Sequence, residues 1–274
     1  MNNLLRAQFS RLWKNRVFHL CILAMAAWAV FTVIMDIRAL NFNPAFTLDE
    51  HFFYNAPVIG LFTAIFISLF IGTEHSCGTM RNSIIVGHSR KSIYLALLTV
   101  CSCMALILNA VWFIVSWLLG TPLVGGLTGD PLHILCMIAA QLGMTLALTA
   151  LFTAVAMLYP NRAGCAVVSI LLYLGLLILS SFIFNALLEP EMTSGVIMTV
   201  DGISRTDPVP NPDYIGGAKR AMYLFWNDFL PGGQALQLAD GSLAHPLASL
   251  LYDAFIFLVC TGVGLFLFHR KDLK

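Results

Sequence analysis

The chain has 274 residues, 59% of them hydrophobic and only 11% charged, with a formal net charge of +1. Soluble domains carry about 25% charged residues, so the composition excludes a soluble globular protein and points to an integral membrane protein. A net charge this close to zero also excludes bulk attraction to nucleic acid.

Residues 1–16 come first and carry Arg6, Arg11, Lys14 and Arg16. Leu5, Phe9, Leu12 and Trp13 share one helical face, while Arg6, Ser10, Arg11 and Lys14 sit largely opposite. That pattern predicts a basic amphipathic helix lying in the inner headgroup region. The alternative is a frayed basic tail that only orients the chain. Six apolar runs then reach the roughly 20 residues needed to span a bilayer. They are 17–35, 56–73, 93–119, 132–159, 164–186 and 247–268. The first is followed by Asp36 and Arg38 rather than by a small-residue cleavage site, so it is expected to be a retained span. The third and fourth are long enough to tilt or to project beyond the bilayer. In the second run, Phe62, Phe66 and Phe70 recur on one helix face. Such a stripe either lines an apolar translocation path or, as is commoner, faces lipid or another helix.

Between the second and third runs lies the segment 74–92, with Arg81, Arg90, Lys91, His75 and His88. A polar, basic stretch between two spans belongs at the cytoplasmic face. Glu74 closes the span, and Gly78 lets the chain turn. Thr79, Met80, Arg81, Asn82 and Ser83 are predicted to form a short helix that offers a mixed face to a soluble partner. The alternative is a plain loop whose cations only set topology. With both termini inside, eleven of the fifteen lysines and arginines fall on inner segments, among them Arg162, Arg270, Lys271 and Lys274. Arg38, Arg205, Lys219 and Arg220 fall outside.

The fifth and sixth runs are separated by 187–246, long for a loop and expected to hold structure of its own. Its first half, with Pro208, Pro210 and Pro212, reads as an irregular outer excursion. In its second half Met222, Phe225, Trp226, Phe229 and Leu230 form a helical apolar stripe. Pro231-Gly232-Gly233 breaks that helix, and Ala235, Leu236 and Leu238 begin a second short one. Neither piece is long enough to span. A helical hairpin dipping into the outer leaflet is expected, with Met222, Phe225, Trp226 and Phe229 as an exit gate. The alternative is a surface helix on that leaflet.

Several motifs are missing. Gly120-Thr121-Pro122-Leu123-Val124-Gly125 is followed by Gly126, so no phosphate-binding P-loop is formed. Neither His-Glu-x-x-His nor Gly-x-Ser-x-Gly occurs. No catalytic, metal or cofactor site is expected, and the chain reads as not an enzyme. The seven cysteines read as small buried residues, six in apolar runs and Cys77 in the polar segment. Asn109 and Gln141 are expected to hydrogen-bond between helices. Asp253, seven positions after Pro246, is the acid expected inside a span. It either touches the outer hairpin or an exit path, or it reaches headgroups or a neighbouring helix.

Three stretches carry a family resemblance: Phe70-Ile71-Gly72-Thr73-Glu74, Gly78-Thr79-Met80-Arg81-Asn82 and Ile85-Val86-Gly87-His88-Ser89-Arg90. They resemble the coupling-helix region of bacterial ABC-2 type transporter permeases. Asn211-Pro212-Asp213-Tyr214, Gly217-x-Lys219-Arg220 and Phe229-Leu230-Pro231-Gly232-Gly233-Gln234 are similar to the same family in its outer segment. Cys77 departs from the pattern, where a polar or acidic residue is expected. The resemblance implies an all-α fold of six transmembrane helices, with an interfacial helix over 1–16, a coupling segment over 74–92 and a re-entrant hairpin within 187–246. It implies a single transmembrane domain over 1–274 in the bacterial cell membrane. It further implies a homodimer engaging two copies of a cytoplasmic ABC ATPase, which would hold the ATP and Mg. The expected cargo is an amphipathic peptide, as in permeases for lantibiotic and bacitracin self-protection and for phenol-soluble modulin export. A membrane anchor or sensor that recruits a partner without transport is the alternative from another class.

Overall fold

Asn15 divides the first forty residues into two helices. Its side chain accepts from Val17 N at 2.8 Å and caps the second helix. These are α1 (Asn2–Lys14) and α2 (Arg16–Leu40). The computed structural model describes residues 2–42, 47–194, 196–199, 202–205 and 207–271. Lys274 lies outside the described residues, as does the side chain of Arg205.

A 3-10 turn (Leu48–Glu50) leads to α3 (Ala56–Ser76), α4 (Thr79–Ile85), α5 (Arg90–Leu123), α6 (Pro131–Leu158) and α7 (Arg162–Leu188). Local signals set most of these starts. Ser89 accepts from Ser92 N to cap α5, Asp130-Pro131 opens α6, and Asn161 accepts from Ala163 N and Gly164 N to cap α7. After α7 come α8 (Gly217–Phe229), α9 (Pro231–Asp240) and α10 (Pro246–Arg270).

Among the described residues six helices are long and apolar enough to cross a membrane: α2, α3, α5, α6, α7 and α10. The chain is thus a helical, multi-pass membrane protein. The stretch expected to be irregular contains two short antiparallel ladders instead. Strand β1 (Met192–Thr193) pairs with β4 (Val209–Pro210), and β2 (Val196–Thr199) pairs with β3 (Gly202–Arg205). The β-branched residues of this stretch favour extended backbone.

The core runs along α3, which packs on α6, α7, α5 and α2, while α10 lies chiefly against α6. Inside it, Gln141 Nε2 donates to Asn55 Oδ1 and Asn109 Oδ1, both at 2.8 Å, and Asn109 Nδ2 donates to Thr145 Oγ1 at 3.1 Å. Asn109 and Gln141 therefore tie α3, α5 and α6 together, as expected of interhelical amides.

Candidate functional site

Gly78 turns the chain from α3 into α4 in the left-handed region, at φ 65°. A side chain there would be strained, which is why the turn falls on glycine. Glu74, four residues earlier, is buried beneath the turn and gathers three donors. Arg11 Nη1 lies 2.5 and 2.6 Å from its two oxygens, Thr79 Oγ1 2.6 Å and Gln8 Nε2 3.4 Å. Thr79 Oγ1 also reaches the Glu74 carbonyl at 3.0 Å. One carboxylate thus fastens α1, the end of α3 and the start of α4.

This knot changes the reading of α1. Its buried seam is Leu4, Gln8 and Leu12, packed on α5, with Leu5 and Phe9 partly buried beside it and Trp13 exposed. The seam is rotated from the predicted face because Gln8, polar in sequence, is drawn inward by Glu74. A cleft of about 390 Å³ opens beside the knot, lined by Ser10, Arg11, Lys14, Phe70, Glu74 and Cys77.

Helix α4 needs a second correction. Met80 was expected to face outward, but it is 2% exposed and belongs to the protein's own core. Arg81 and Asn82 are exposed, Thr79 and Ser83 partly so. The apolar surface on offer is Ile85 and Val86, 74% and 78% exposed. These two adjacent aliphatic side chains are left uncovered by the rest of the chain.

Two cations and an imidazole, Arg90, Lys271 and His75, cap the neighbouring helix ends. Arg90 donates to the carbonyls of Phe268 (3.2 Å), His269 (3.3 Å) and Lys271 at the end of α10. Lys271 Nζ donates to Met157 O at 2.9 Å and His75 Nε2 to Ala156 O at 3.2 Å, both at the end of α6. All three satisfy orphan carbonyls, and the charges of Arg90 and Lys271 also oppose the negative helix ends. Burial pushes the Lys271 ammonium below its ordinary value.

At the opposite end, α9 is sunk into the bundle against α7, α6 and α3. Gly232 permits this: a Cβ there would sit 2.6 Å from Ser180 Oγ and 2.8 Å from Leu176 O. Gln234 Nε2 donates to Asp228 O (2.8 Å), and Gln237 Nε2 to Asn227 O (3.0 Å) and Asp228 Oδ1 (3.1 Å), closing the α8–α9 turn. Arg220 Nη2 donates to Leu187 O at 3.2 Å and ties α8 to the end of α7. Phe225 and Phe229 stack at 5.6 Å and meet Tyr252 of α10 at 6.0 and 5.6 Å. Met222, Phe225 and Trp226 remain half-exposed. The two glutamines went unread in the sequence, where nothing marks a polar side chain as a turn lock.

The phenylalanine stripe packs inward. Phe66 and Phe70 are buried and stacked at 5.3 Å, and Phe66 meets Phe18 of α2 at 6.2 Å, while Phe62 is partly buried. Among the described residues no His, Cys, Asp and Glu cluster could hold a metal ion. No protein-family model matches the chain, and no curated protein matches it.

Proposed function

We propose that the chain is the permease subunit of an ATP-binding cassette exporter of the ABC-2 type. It pairs with a second copy of itself, engages two copies of a separate cytoplasmic ATPase and moves an amphipathic substrate, a peptide, toxin or antimicrobial, out of a bacterial cell. The observation that carries this reading is α4. A short helix is held between two spans, fastened by Glu74 to α1 and α3, and presents Ile85 and Val86 beside Arg81 and Asn82. The likeness of residues 70–90 and 211–234 to such permeases supports it.

On this reading α1, α4 and both termini lie in or against the cytoplasm, and the α8–α9 hairpin is re-entrant from the outer face and gates exit. ATP and Mg sit on the partner. Closure of the ATPase pair drags α4, and the Glu74 knot passes the displacement to α3 and α1 together, because none of the three elements can move without breaking a charged hydrogen bond.

Inverted membrane vesicles holding the chain and its ATPase test this. ATP-driven uptake of an amphipathic peptide is expected, with loss of uptake and of peptide-stimulated hydrolysis in the Ile85→Asp, Val86→Asp double variant. Undiminished uptake in the variant contradicts the reading. An ATPase that binds the wild type but drives no uptake would mark a membrane anchor instead.

A further inference from the structure

The cleft beside the Glu74 knot carries a positive charge that the chain itself does not use. Glu74 is 7% exposed, and Arg11 Nη1 covers both of its oxygens at 2.5 and 2.6 Å. That pair is neutral. Lys14, one turn further along α1 on the cleft wall, is exposed and has no hydrogen bond or ion pair among the described residues. Arg11 Nη2 and Nε and the Ser10 hydroxyl are likewise unengaged there. The cleft therefore offers hydrogen-bond donors and one uncompensated cation, and no free carboxylate.

Its depth in the bilayer follows from the path of the chain. Lys14 and Asn15 come immediately before the span α2, and Thr73, Glu74 and Cys77 come at the end of the span α3. A cleft bounded by the ends of two spans lies at the polar boundary of the bilayer. Trp13, 57% exposed beside Lys14, is the residue type favoured at that level. Phe70 on the cleft floor lies six residues before Ser76, about 9 Å deeper along α3. Cationic donors at the rim and an aromatic ring below match a molecule with an anionic head on an apolar body. A phosphate diester only accepts hydrogen bonds, as this rim requires. An ammonium head finds no acceptor, since both Glu74 oxygens are taken.

We propose that this cleft binds the phosphate of an anionic phospholipid, with Lys14 as the counter-charge and Arg11 and Ser10 as further donors. The Arg11 guanidinium then faces two anions, the lipid phosphate and Glu74, so the lipid fastens onto the knot that joins α1, α3 and α4. The site needs neither ATPase nor cargo and is independent of the export reading.

The purified full chain in a neutral detergent tests it. Dioleoyl phosphatidylglycerol, dioleoyl phosphatidylcholine and inorganic phosphate are the probes, and bound adducts are read by native mass measurement. Lys14 is exposed and unpaired, so its replacement leaves the fold intact. The wild type is expected to bind phosphatidylglycerol about fivefold tighter than Lys14→Ala does, the worth of one lysine near an anionic headgroup. Phosphatidylcholine is expected to bind more weakly and to be indifferent to Lys14→Ala. Arg6 is exposed on the same helix but does not line the cleft, so Arg6→Ala should bind as the wild type does. Bound phosphatidylglycerol should also slow maleimide labelling of Cys77, the exposed cysteine, in the wild type and not in Lys14→Ala. Equal phosphatidylglycerol binding by the wild type and Lys14→Ala overturns the proposal. So does an equal loss in Arg6→Ala, which would mark attraction to the basic helix as a whole. Inorganic phosphate that displaces the lipid at similar concentration would overturn the lipid as occupant.

Discussion

Glu74 is one side chain that three elements depend on. Removing its strongest partner by Arg11→Ala leaves a buried carboxylate with Thr79 and Gln8. The guanidinium is about half-exposed, so the cost is discounted to about 1–2 kcal/mol, read as a lowered thermal midpoint of the detergent-solubilised chain. A double-mutant cycle with Glu74→Gln should show coupling between the two positions; additive effects would mean that the pair is not fastening α1 to α3. Met80 in α4 and Val86 at its C-cap predict opposite phenotypes. Met80→Asp puts a charge into the core and should destabilise the chain itself by at least about 3 kcal/mol. Val86→Asp should leave its melting unchanged and affect only partner binding. Full burial of Ile85 and Val86 by a partner is worth about 3–6 kcal/mol, enough to dominate a small docking surface.

At the scale of elements, the hairpin α8–α9 stands on one close approach. Gly232→Ala forces a methyl group against Leu176 O and Ser180 Oγ and should cost about 1–3 kcal/mol, with increased proteolysis between Phe229 and Pro246. Normal stability would mean that α9 is not seated on α7 as described. Trp226→Asp with Phe229→Asp breaks the aromatic contact to Tyr252 and should reduce export more than it reduces ATP binding by the partner. The long spans, the α4 helix and the break at Pro231 were legible in the sequence because each is set locally, by an apolar run, a glycine turn or a proline. Which way a seven-residue helix faces is not local. Met80 and Val86 are both apolar, and only the packing of α4 between α3 and α5 decides which is covered. The same holds for Gln8, buried because Glu74 lies 66 positions away. The ladders at 192–210 were missed because their strands are two to four residues long and carry no lasting alternation. That Asp253 is buried, beside Gln234 of α9, is a property of the helices packed on α10 and not of α10 itself.

For the whole molecule, the central helix is α3, and the outward faces of α2, α7 and α10 present apolar side chains such as Leu23, Leu171 and Leu251. A bilayer covers these faces, and one of them is expected to meet the second copy of the chain. The central claim is that α4 couples this chain to a separate ATPase. Native mass measurement of the complex purified from membranes tests it most directly. Two copies of this chain with two of the ATPase are expected, falling to the permease pair alone when Ile85 and Val86 are both replaced by Asp. A wild-type chain that carries no ATPase, or a double variant that still carries two, would contradict the account.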